Sequence, residues 1–186
     1  GVLNYGTDEV ILEAYTVEHE LGDSDTIESG AGHDVVLGGA GGDIISVSAG
    51  DDSVIGDNGK ITFNLGIRGR LESTDLVNST GGNDRISLGS GADEAIAGVG
   101  DDYVTNESGE TIIIGDDGFI ENDENGRYLF ASTGDYTLGG DDEIIGGSGR
   151  DIIFGGFGKD DLAGEDGDDM IMGDSGSITR NSDTIV

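Results

Sequence analysis

Aspartate returns every nine residues along this chain: Asp25, Asp34, Asp43 and Asp52; then Asp84, Asp93 and Asp102; then Asp142, Asp151, Asp160 and Asp169; and finally Asp183. Around each lies a version of one sentence, clearest in Gly38-Gly39-Ala40-Gly41-Gly42-Asp43-Ile44-Ile45-Ser46 and in Gly155-Gly156-Phe157-Gly158-Lys159-Asp160-Asp161-Leu162-Ala163. Glycines at the first, second and fourth places permit positive φ and close backbone approach, so several carbonyls can converge in one tight turn. The sixth place adds a carboxylate. Calcium accepts six to eight oxygens at irregular geometry, backbone carbonyls included, whereas magnesium wants a tighter octahedron. Zinc lacks its usual partners, because the chain has no cysteine and only His19 and His33. The pattern predicts turns that hold a hard cation, and calcium fits best.

These carboxylates need a scaffold that repeats with them. The eighth place is apolar in all twelve copies: Ile27, Val36, Ile45, Val54, Ile86, Ala95, Val104, Ile113, Ile144, Ile153, Leu162 and Ile171. A glycine turn followed by a short strand every nine residues predicts an all-β solenoid. Successive strands would lie on opposite sides of a flattened coil, with two nonapeptides per turn and a thin core between. Each fully buried aliphatic side chain contributes only ~1.5–3 kcal/mol, against the ordering of many glycines, so bound ions must add folding energy.

A longer period lies above the nonapeptide. The tetrads Gly56-Asp57-Asn58-Gly59, Gly115-Asp116-Asp117-Gly118 and Gly173-Asp174-Ser175-Gly176 close three similar blocks, stepping by 59 and then 58 residues. The expected organisation is residues 1–58, 59–117 and 118–175 as three super-repeats, with 176–186 opening a fourth, all cut from a longer array. Between the nonapeptide blocks, residues 60–78 and 119–136 read as β-hairpins, and 2–19 as a third. Asn125-Gly126 is a turn signal within the second excursion. Glu121-x-Asp123-x-Asn125-Gly126 imitates the start of an EF-hand loop, but Ser132 stands in its twelfth place and no helical pattern flanks it.

The outward seventh and ninth places divide the strands into unlike faces. First and third repeats carry 4 apolar residues of 12, second and fourth repeats 10 of 12, among them Val35, Leu37, Ile112, Ile114, Ile152, Phe154, Met170 and Met172. Soluble monomers rarely leave such a face bare. Two explanations stand open: the hairpins fold back over this sheet, or another chain covers it in self-assembly.

Forty acids face eight bases, giving a formal charge of −32. Halophilic surface charge would scatter its acids, whereas 11 of 12 sixth places are Asp, the exception being Thr111. So much like charge should expand a metal-free chain. Eight scattered bases cannot form a nucleic-acid stripe, and no apolar run approaches the length needed for membrane insertion. No nucleophile elbow, metalloprotease motif or phosphate loop is present, so no enzyme activity is expected.

With copy number and phase in agreement, the chain resembles the RTX family, whose calcium-binding nonapeptide is Gly-Gly-x-Gly-x-Asp-x-U-x with U apolar. The resemblance implies a parallel β-roll with calcium between stacked turns. It also implies ligation by sixth-place aspartates of neighbouring turns on one edge, such as Asp25 with Asp43, Asp34 with Asp52, Asp142 with Asp160, and Asp151 with Asp169. Asp57, Asp116 and Asp174 read either as altered, terminal sites or as solvent-facing turn acids. Fifth-place Asp51, Asp101, Asp141 and Asp168 read as solvated rather than ligating. The implied setting is a secreted, extracellular or cell-surface bacterial protein exported by a type I system. Within it this segment would be structural, of adhesin, sheath, surface-layer or filament type, joined to flanking repeats. The alternative is an accessory roll of a secreted enzyme or toxin. Ice or glycan binding on a flat sheet would need a regular rank of outward Thr or aromatics, which neither sheet has.

Overall fold

The computed structural model describes residues 1–5, 10–75, 80–134 and 137–181. Among them every regular element is a strand, and two six-stranded parallel sheets form the walls of a flattened roll. The first sheet stacks Thr26–Gly30, Ile44–Val47, Arg85–Ser87, Tyr103–Thr105, Glu143–Ile145 and Asp161–Ala163; the second stacks Val35–Leu37, Ser53–Ile55, Glu94–Ile96, Ile112–Ile114, Ile152–Gly156 and Met170–Asp174. The register keeps the apolar eighth places paired: Ile27 with Ile45, Ile45 with Ile86, Val104 with Ile144, and Ala95 with both Val54 and Ile113, the one shift in either wall falling after Glu28 at the end of its strand. A one-residue slip would turn this apolar row to solvent, which fixes the pairing.

Between the walls lies a core of Val36, Ile45, Val54, Ile86, Ala95, Val104, Ile113, Ile144 and Ile153, joined by first-place Val47, Leu88 and Ala97. Ile27 and Leu162 pack against it partly buried, but Ile171 is 43% exposed. Its inward register is right; its strand has a described neighbour on one side only.

The excursions are hairpins. Val2–Tyr5 with Ile11–Tyr15, Gly59–Asn64 with Ile67–Ser73, and Gly118–Asn122 with Tyr128–Thr133 join Ser177–Thr179 in one seven-stranded sheet, antiparallel throughout. In the middle hairpin Leu65 and Gly66 both have positive φ, 53° and 83°, the signature of a two-residue turn whose twist matches its strands. In the next, Asp123 Oδ1 accepts the N–H groups of Asn125 (2.8 Å) and Arg127 (3.1 Å), so the EF-hand look-alike is an Asx turn. The Gly6-Thr7-Asp8 turn of the opening hairpin lies outside the described residues.

This antiparallel sheet lies over the outer face of the second wall. Ile61, Leu71, Ile120 and Ala131 pack onto Ile55, Ile96, Ile112, Ile114, Ile152 and Phe154, forming a second buried core. Of the two explanations left open for this face, the hairpins folding back is the one that holds at its centre, where the chain's own hairpins bury Ile112, Ile114, Ile152 and Phe154 and leave them closed to self-assembly. Leu37 and Met172 pack at the margin of the same core, and Val35 and Met170 stay 40% and 47% exposed on the outermost strands.

Candidate metal centre: two columns of carboxylates

The turns stack along two edges. The first edge carries Asp25, Asp43, Asp84, Asp102, Asp142 and Asp160; the second carries Asp34, Asp52, Asp93, Thr111, Asp151 and Asp169. On each, the sixth-place N–H donates to Oδ1 of the sixth-place aspartate one rung later. On the first edge the links are Asp25 to Asp43 (2.8 Å), Asp43 to Asp84 (2.7 Å), Asp84 to Asp102 (2.7 Å), Asp102 to Asp142 (2.9 Å) and Asp142 to Asp160 (3.1 Å). On the second they are Asp34 to Asp52 (2.8 Å), Asp52 to Asp93 (2.8 Å), Thr111 to Asp151 (3.0 Å) and Asp151 to Asp169 (3.0 Å). The sequence step is 18 residues within a block and 40 or 41 across a hairpin, so the hairpins leave the columns in register. All four aspartate pairs implied by the family resemblance are adjacent here. Asp183 lies outside the described residues.

Where an earlier rung engages Oδ1, Oδ2 is left over, and Asp34, the first rung of its edge, leaves Oδ2 over as well. In Asp34, Asp43, Asp52, Asp84, Asp93, Asp102, Asp142, Asp151 and Asp160 that oxygen is buried with no hydrogen-bond partner. A buried, unsatisfied carboxylate oxygen is costly in any fold, and nine in register require a common partner. The first edge shows where that partner fits. A Cβ on Gly38 would overlap Asp43 Oδ2 and Gly56 O; on Gly56, Asp84 Oδ2 and Ala97 O; on Gly115, Asp142 Oδ2 and Gly155 O; on Gly155, Asp160 Oδ2 and Gly173 O. Each carboxylate oxygen thus meets the first-place carbonyl of the next rung over a glycine whose missing side chain leaves the space open. Among the described residues no three acidic or histidine side chains converge on one point. The accompanying oxygens are backbone carbonyls, a donor set suited to a calcium-like cation and unsuited to zinc.

The electrostatics agree. Burial raises the pKa of Asp84 to about 8, of Asp93 and Asp102 to about 7, of Asp142 to about 9 and of Asp151 to about 6; neighbouring carboxylates add to the rise while backbone N–H donors oppose it. Burial likewise raises Asp43, Asp52 and Asp160. Burial thus shifts all of these groups towards the protonated form, and a divalent ion would hold them ionised.

Asp57 and Asp116 stand apart from the columns. Both are buried, which overturns the solvent-facing alternative for them, and both hold backbone rather than an open oxygen. Asp57 accepts Gly82 N–H (3.0 Å) and Val99 N–H (2.6 Å); Asp116 accepts Gly140 N–H (3.0 Å) and Phe157 N–H. Each sits where a first-edge turn breaks to let a hairpin out, and ties the returning chain to the next rung. Burial beside Asp84 and Asp102 lifts Asp57 to about 10, and burial lifts Asp116 to about 8. Asp174, in the third tetrad, is exposed.

Two features went unread in the sequence. Fifth-place side chains form an outer ladder of opposite sense: Asp51 Oδ1 accepts Ala92 N–H, Asn83 Oδ1 accepts Asp101 N–H, Asp101 Oδ1 accepts Asp141 N–H and Asp141 Oδ1 accepts Lys159 N–H. His33 Nδ1 accepts Asp51 N–H (2.9 Å) in the same way. These side chains are exposed, as expected, yet they brace backbone. The second is a clamp at the hairpin base, where Asp75 takes Asn58 N–H (3.1 Å), Asn58 Nδ2 (2.9 Å) and Thr80 Oγ1 (2.6 Å). An acceptor side chain recurring one place before the aspartate was the available signal for the outer ladder; the clamp has none.

The family model for the RTX calcium-binding nonapeptide repeat matches residues 21–54, 37–60, 78–113, 136–171 and 160–177, together more than half of the chain. No curated protein and no solved structure matches it.

Proposed function

From a chain that belongs to the RTX calcium-binding nonapeptide repeat family, we propose a calcium-dependent structural segment of a large secreted bacterial surface protein, of adhesin, sheath, surface-layer or filament type. The repeat is a calcium-binding structural element rather than a catalytic one. The observation that carries the reading is the row of nine buried Oδ2 atoms without partners in a chain of formal charge −32.

In this reading the ligands are the sixth-place aspartates of the two columns, each pairing its Oδ2 with carbonyls of adjoining turns. Calcium supplies the positive charge that lets them stay ionised when buried. Asp57 and Asp116 hold the interrupted turns rather than the ion. At low cytosolic calcium the acidic chain stays expanded and fit for type I export; at millimolar external calcium it folds as ions bind, even through sites of moderate affinity. Flanking repeats of the same array would stack on the outermost strands. The alternative, an accessory roll of a secreted enzyme or toxin, would show a catalytic domain in the flanking sequence.

The deciding experiment titrates calcium into the EGTA-treated chain, following far-UV circular dichroism and sedimentation together, with magnesium as control. A calcium-specific coil-to-β transition is expected. Full, cooperative β-structure in the metal-free chain at neutral pH and low salt would sink the reading.

A further inference from the structure

The second edge has a feature the calcium columns do not explain. Four of the chain's six arginines, Arg68, Arg127, Arg150 and Arg180, line one groove of about 570 Å³ between the second-edge turns and the hairpin tips. They come from separate segments: a hairpin strand, a hairpin turn, a nonapeptide turn and the chain just after Ser177–Thr179. In a molecule with 40 acids and eight bases, such convergence is not a solvated average.

The groove is built in two levels. At its floor Arg68 donates from Nη1 to Asp52 O (2.7 Å) and Ser53 Oγ (3.0 Å), beside buried Glu94, which accepts Asn122 Nδ2 (3.0 Å). That level is matched internally. At the mouth, Arg150 makes only a 3.4 Å contact with exposed Glu110. Arg180 lies over the Tyr128 ring at 5.4 Å, and neither it nor Arg127 makes an ion pair among the described residues.

The acids of the lining, Asp51, Asp93, Glu94 and Glu110, equal the arginines in number. Asp93, however, belongs to the calcium column, and Thr111 one rung later, also in the lining, brings no carboxylate. Calcium at Asp93 removes one negative charge and leaves the groove net positive. Guanidinium forks suit planar or tetrahedral oxyanions, and an aromatic wall suits the body that carries one.

We propose that this groove binds an oxyanion, a sulfate or carboxylate group free or carried on a saccharide, in the calcium-loaded roll. The inference rests on the calcium reading, and by linkage the anion and calcium must tighten each other's binding by one factor.

The test uses the whole chain in millimolar calcium, with glucose 6-sulfate, inorganic sulfate and glucose as calorimetric probes and R127Q/R180Q as the variant. Both arginines are exposed, so the variant should keep the wild-type calcium transition in circular dichroism. Expected are binding of glucose 6-sulfate but not glucose, at least tenfold weaker binding in R127Q/R180Q, and a lower calcium midpoint with the anion in wild type alone. Tighter binding of the sulfate ester than of inorganic sulfate would assign a saccharide-borne ligand; equal binding, a free anion. A normal calcium transition with no anion binding, or with equal binding by R127Q/R180Q, overturns the groove and leaves the calcium reading intact. Absence of the calcium transition overturns both.

Discussion

The two edges of the roll are made from one repeat yet fail in opposite ways. Along the first edge the aspartate column is unbroken, while two of its turns are cut open to release hairpins. Along the second the turns run on without interruption, tied at their third places by bridges from Ala49 through Ser90 and Ser108 to Ser148, but the column breaks at Thr111. The first edge spends its backbone continuity on building the sheet that covers the second wall, and Asp57 and Asp116 restore what the cuts remove. The second keeps its backbone and gives up a carboxylate where the arginines gather. A solenoid thus tolerates either kind of lesion provided that each is confined to one edge.

The difference can be broken by substitution. The largest effect should come from Asp102→Asn, in the middle of the first-edge column with its Oδ2 unpartnered. The calcium midpoint in circular dichroism should rise by about tenfold or more, a cost of about 1.4 kcal/mol. Asp57→Ala comes next: it leaves the buried Val99 N–H and the partly buried Gly82 N–H without their carboxylate acceptor, and should show as faster hydrogen exchange in Gly59–Asn64 and Ile67–Ser73 at saturating calcium.

The metal-free chain should respond to acid, and the two edges should respond in turn. A carboxylate whose folded pKa lies above its unfolded value of 3.8 favours the fold when protonated; that stability is complete below 3.8 and is lost as pH rises through the folded pKa. In EGTA, therefore, acidification should induce β-structure. On raising the pH, ionisation should begin on the second edge, through about 6 at Asp151, pass through about 7 at Asp93 on the second edge and Asp102 on the first, and finish on the first edge, through about 8 and 9 at Asp84 and Asp142. Circular dichroism against pH checks this, and a metal-free signal that strengthens from pH 5 to 9 would contradict it.

Thr111→Asp sharpens the comparison by repairing the second column. The Thr111 Oγ1 that now accepts Asn106 Nδ2 (2.7 Å) would be replaced by a carboxylate able to accept the same bond. Equilibrium dialysis should find additional bound calcium, with the midpoint lowered a few-fold. Smallest of all is Arg150→Ala: its pair with Glu110 is exposed on both sides and contributes about 0.2–1 kcal/mol at most, so the calcium midpoint should scarcely move.

What the sequence made legible is what recurs locally. The sixth-place column, the inward eighth place and the hairpins can all be read within a few tens of residues, because glycine turns and apolar alternation act at that range. The covering of the second wall was half legible: 10 apolar residues of 12 announced a buried face, but only the packing of Ile61, Leu71, Ile120 and Ala131 shows that the chain covers itself. The rest depends on which backbone N–H meets which carboxylate across 40 or 41 residues. Asp57 and Asp84 look alike in sequence; one holds two N–H groups, and the other leaves an oxygen open. Arg68, Arg127, Arg150 and Arg180 share no period that would place them together.

The links between sixth-place aspartates all point one way, N–H from the earlier rung to carboxylate on the later one. The column therefore has a donor end and an acceptor end, like a row of hooks and eyes. Stripping a rung from the late end strands buried N–H groups on the rung that remains; stripping one from the early end frees only a carboxylate, which water or a cation readily satisfies. Such a roll gives way more readily from its N-terminal side, and its last rung offers an open N–H to whatever supplies the next carboxylate there.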